Sequence, residues 1–128
     1  MKILIAALLA VFSTSVMAEW TWVGGNERSS AYADFSTIRK SGDRVKMWNL
    51  YDLKVAGRGD DDRRFLSTSA QFEYDCKEET SNLLAFIEYS KNMGDGEVIY
   101  TAGNSHTGPR PVAPGSLMAT LFKTACGK

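Results

Sequence analysis

The chain has 128 residues, room for one domain and too little for two with full cores. Its 15 basic and 15 acidic side chains cancel, so it lacks the positive excess with which nucleic-acid binders displace counterions. One histidine and two cysteines speak against a protein-built zinc site, and nothing in the composition calls for a cofactor. A hydrophobic fraction of 44% with 23% charged residues fits a folded chain rather than a disordered one.

The first 18 residues predict export. Lys2 is a short positive region, Ile3 to Phe12 is an apolar run, and Ser13-Thr14-Ser15 ends it. Val16 and Ala18 are small residues at the positions a signal peptidase reads, so cleavage is expected before Glu19. As a helix the apolar run reaches roughly 15 Å, about half the hydrocarbon core, too short for an anchor. Position 19 is glutamate rather than cysteine, so no lipid attachment is expected there. Residues 1–18 are thus read as a signal peptide and 19–128 as one domain in the periplasm, on the cell surface or secreted. In an oxidising compartment Cys76 and Cys126 are expected to form a disulfide. A loop of that length is worth about 4 kcal/mol in the chain-entropy account.

In chain order, Trp20 to Val23 reads as a first strand ended by Gly24-Gly25, and Ser30 to Asp34 as a second. Arg44 to Val55 is a long strand with Val45, Met47, Tyr51, Leu53 and Val55 on one face, interrupted by Asn49. A polar loop, Ala56 to Arg64, precedes the strand Phe65 to Cys76. There Leu66, Thr68, Ala70, Phe72, Tyr74 and Cys76 share one side, and Ser67, Ser69, Gln71, Glu73 and Asp75 are assigned to solvent. Asn82 to Tyr89 is apolar on both faces until Glu88 and reads as a strand from its Phe86, Ile87 and Tyr89. A hairpin turn at Met93 to Gly96 leads to a last strand, Glu97 to Ala102, and then a loop from Gly103 to Pro114. Ser116 is placed to cap a helix that Gly127 stops. The resulting class is α+β, an antiparallel sheet with one helix across a face.

The order of several short motifs is similar to that of the surface-adhesin protein E family of Gram-negative bacteria. They are Trp22-Val23, Tyr32-Ala33-Asp34 with Ile38, Val45-Lys46-Met47-Trp48, Phe72-Glu73-Tyr74-Asp75-Cys76, and Pro114-Gly115-Ser116 before a helix ending at Cys126. The resemblance implies a sheet of about six antiparallel strands, a C-terminal helix tied down by a disulfide, and no enzymatic activity. The family's name-giving member binds host matrix and plasma proteins, which implies a protein partner of that kind. That member is a lipoprotein, whereas this chain has Glu19 in place of a lipidated cysteine. The alternative is a periplasmic inhibitor or accessory protein of the lysozyme-inhibitor type, bound to an enzyme.

Among candidate sites, His106 beside Ser105 reads as exposed loop rather than a catalytic pair, since adjacent side chains seldom face each other. Asp60-Asp61-Asp62 and Asp95-Gly96-Glu97 lack the spacing of a calcium loop. Trp20 and Trp22 read as packing under the helix rather than as a ligand platform. The polar loop draws the most interest because it projects between the two longest strands. It holds Arg58-Gly59-Asp60, an integrin-type tripeptide, and the basic pair Arg63-Arg64. Arg58, Asp60, Arg63 and Arg64 are therefore the candidate binding residues. The plainer reading is that the three aspartates pair with the three arginines and keep the turn soluble.

Overall fold

Period-two alternation of the kind seen in the sequence builds a meander in the computed structural model, which describes residues 18–103 and 108–127. The strands are β1 (Thr21–Gly25), β2 (Ser29–Ser41), β3 (Arg44–Arg58), β4 (Arg64–Asp75), β5 (Thr80–Tyr89) and β6 (Val98–Ala102). Each pairs antiparallel with the next, giving the spatial order β1-β2-β3-β4-β5-β6. A two-residue strand, β7 (Arg110–Pro111), lies against Thr80 and Ser81 of β5, inside the segment expected to be all loop. Helix α1 (Leu117–Cys126) crosses one face.

The helix forms where its caps allow. Ser116 Oγ accepts the Ala119 N–H at 3.1 Å, and Gly127 takes the left-handed conformation, φ 70°, that closes the last turn. Leu121, Phe122 and Ala125 are buried against Ala31, Ala33, Val45, Met47 and Tyr74 of the sheet. Two of these sheet residues are alanines, and Gly24 lies beside Thr120 and Leu117, so the helix can lie close to β1 and β2. Cys76, just after β4, is bonded to Cys126 in the last turn of the helix.

The opposite face is not the plain solvent surface assigned from alternation. Ser67 and Ser69 are buried. After β5 the chain makes a 3₁₀ turn, Asn92–Gly94, which folds back over β3 and β4. Asp52 Oδ1 accepts from the Met93 N–H at 2.8 Å and from Asn92 Nδ2 at 2.9 Å. Ser67 Oγ accepts the Gly94 N–H at 2.9 Å and donates to the Lys91 carbonyl at 2.6 Å. The Ser67 hydroxyl and the Asp52 carboxylate therefore satisfy a covering turn rather than water. Met93 takes φ 58°, a conformation a non-glycine residue holds only when its surroundings fix it.

Other departures from the sequence reading are local. β2 runs well past Asp34, with an irregularity between Asp34 and Arg39. β3 continues to Arg58 and β4 begins at Arg64, so the expected loop shrinks to a tight turn. Trp20 and Trp22 do not pack together under the helix. Trp20 lies near Gly94 on the opposite face, and Trp22 is 60% exposed. His106 lies outside the described residues.

Candidate functional site

The tip between β3 and β4 closes on its own backbone. The Gly59 N–H donates to the Arg63 carbonyl at 2.8 Å, and the Asp62 N–H donates to the Gly59 carbonyl at 3.1 Å. Asp62 sits at φ 59°, the left-handed step that completes a three-residue hairpin. Aspartate tolerates this region better than most residues. Gly59 is required by a close approach, since a Cβ there would fall 2.6 Å from Arg63 Cζ. Gly57 is required in the same way, because the Phe65 ring crosses it.

Arg58, Asp60 and Arg64 are exposed on this tip. Arg58 and Arg64 are direct cross-strand partners, two like charges on one rung, an arrangement that costs stability. Arg58 is relieved by Asp62 at 3.8 Å, with both side chains open to water. Among the described residues, Arg64 and Asp60 form no ion pair.

Arg63 behaves differently. Its Nε donates to Glu88 Oε2 at 3.1 Å, an Asp61 carboxylate oxygen lies 3.4 Å from its Nη1, and its Cζ sits 4.0 Å above the Tyr100 ring. The Arg63 side chain is only 17% exposed and that of Glu88 8%. Desolvation works against the guanidinium's charge, and the hydrogen bond and field of Glu88, aided by Asp61, more than offset it and raise its pKa further. Arg63 is therefore a fixed cation on the sheet rather than a free one on the loop. Of the three arginine–aspartate pairs in the plainer reading, the structure holds Arg58–Asp62 and Arg63–Asp61. The partners the sequence reading missed are Glu88 and Tyr100. Their signal was a lone carboxylate in an otherwise uncharged strand, which requires a counter-charge once buried.

No three His, Cys, Asp or Glu side chains among the described residues are grouped to hold a metal ion. No described helix is long and apolar enough to cross a membrane.

The profile of the surface-adhesin protein E family matches residues 20–127. The chain belongs to that family. Among solved structures, crystal form II of Haemophilus influenzae protein E superposes with a TM-score of 0.62 at 14% identity, covering 89% of this chain and 91% of that one. Another structure of Haemophilus influenzae protein E gives 0.61 at 14% identity, covering 89% and 88%. Protein E from a non-typeable strain gives 0.58 at 14% identity, covering 89% and 79%. At that identity the likeness speaks for the fold. Among curated proteins none matches this chain.

Proposed function

We propose that the chain is an exported, non-enzymatic binding module that grips a protein partner with the tip of its β3–β4 hairpin. On this reading residues 1–18 are a signal peptide removed before Glu19, and the mature protein carries no lipid. One observation carries the choice of site. The tip is closed by its own backbone bonds and presents Arg58, Asp60 and Arg64 to solvent at the end of the β3–β4 pair. Guanidinium groups so placed suit the carboxylates and aromatic rings of a protein surface. Membership of an adhesin family supports a host matrix or plasma protein as the partner.

Binding of the mature domain to immobilised matrix and plasma proteins tests this, alongside a periplasmic extract as the competing source. The Arg58→Ala, Arg64→Ala double variant is expected to lose roughly tenfold or more in affinity if either side chain is an anchor. Full affinity in that variant moves the site to another surface, such as the face bearing Trp48, Ile87 and Tyr89. Protease shaving of intact cells separates the two locations. Release of domain peptides marks surface display, and their absence with a periplasmic pool marks an accessory protein or inhibitor.

A further inference from the structure

Apart from its two turn bonds, the hairpin tip has little of its own to hold it against the sheet. The β3–β4 register breaks between Asp52 and Gly57, and only Gly57↔Phe65 and Arg58↔Arg64 pair beyond the break. The break interrupts the ladder, and so short an extension is marginal alone. Its last rung also sets two cations against each other. Beyond the two turn bonds at Gly59 and Asp62, the tip is tied to the rest of the sheet by a contact from Arg63. Its guanidinium reaches across to β5 and β6, bonding Glu88 at 3.1 Å and lying 4.0 Å over Tyr100. Tyr100 is itself backed by Phe86, with ring centroids 5.6 Å apart. Glu88 lies near the end of β5 with its residue only 6% exposed, and the cation paired with it comes from 25 positions earlier in the chain.

We propose that Arg63, Glu88 and Tyr100 form a latch that holds the hairpin tip folded toward β5 and β6, with Arg63 a positioning residue rather than a contact for the partner. The inference rests on the binding role proposed above, which it deepens. Arg58, Asp60 and Arg64 then meet a partner from a pre-ordered tip. Without the latch, binding must first order that tip, and affinity falls accordingly. A lysine at position 63 keeps the charge but loses the planar fork and the stack on Tyr100.

Hydrogen exchange of the Gly59 and Asp62 amides tests the latch. Arg63→Lys and Glu88→Gln are the variants, because removing the guanidinium outright leaves Glu88 buried without its cation. Both are expected to exchange at least tenfold faster at these two amides, while amides of the Met47–Phe72 rung keep wild-type rates. Trypsin cleavage after Arg58 is expected to accelerate in step. Unchanged exchange in both variants overturns the latch. So does acceleration spread evenly over the sheet, which would make Arg63 a general stabiliser. A tip that loosens as expected while the wild type binds no matrix, plasma or periplasmic protein leaves the latch standing and defeats the binding role.

Discussion

At one end of the β3–β4 pair, Val45 and Tyr74 lie opposite each other beneath α1, with the disulfide at the margin. At the other end, Arg58 and Arg64 face each other in water, and the tip is fastened by the Arg63 guanidinium. The first end is held by non-directional burial together with a covalent tie. The second depends on one oriented cation over a carboxylate and a ring. The same two strands are therefore secured by burial where the helix covers them and by a few directional contacts where a partner would approach.

Breaking the covalent tie gives the largest effect. Replacing Cys76 and Cys126 with serine is expected to cost about 4 kcal/mol by the chain-entropy account, seen as a lower midpoint in urea unfolding. Exchange at the tip should rise only in line with global unfolding, since the Arg63 contacts lie at the other end of the strands. A drop below about 1 kcal/mol would mean that helix packing alone secures that end, against the loop-closure estimate.

Alkaline pH loosens the same end more gently. Burial pushes the Tyr51 phenol up to about 12. Burial, then the nearby Tyr51 charge, raises Tyr74 as well, although the bond donated by Asn49 Nδ2 at 2.5 Å works the other way. Both folded-state values lie above the unfolded one near 10, so the neutral phenols favour the folded chain. Their contribution is complete below about pH 10 and is lost as pH climbs toward the folded values. Stability measured by urea unfolding should thus fall progressively above about pH 10, and Tyr51→Phe should flatten that decline. An unchanged slope in the variant would refute burial as its cause.

The helix-covered end was largely legible in the sequence, because its determinants are local. Alternation along Arg44 to Val55 and Phe65 to Cys76, the Ser116 cap, the Gly127 stop and two cysteines in a chain read as exported each point the same way. What escaped was held by distant partners. Ser67 and Ser69 resemble a solvent face until Lys91 to Gly94 bonds the first and the Tyr89 hydroxyl the second. Arg63 resembles its neighbours Arg58 and Arg64 in sequence, and only Glu88, 25 residues on, sets it apart. The turn was overestimated in length because Gly57 and Arg58 look like loop residues, although both continue the ladder. At the candidate site, the exposure of Arg58, Asp60 and Arg64 could be read in advance, and the anchoring of Arg63 could not.

The smallest effect concerns the stability of the tip itself. Arg58→Ala with Arg64→Ala removes two exposed cations and one long pair to Asp62, 3.8 Å apart between side chains 65% and 85% exposed. Exposed pairs of that kind contribute little, and the variant also removes a like-charge rung, so the two losses oppose each other. The midpoint of thermal unfolding should stay within about 2 °C of wild type, the shift that corresponds to a few tenths of a kcal/mol in a domain of this size. Raising the salt concentration should change that difference hardly at all, because the two opposing terms are screened together. A clear loss of stability would show that Arg58 or Arg64, and not only Arg63, is part of what fastens the tip. The contrast between the two ends of the pair would then rest on several cations rather than one.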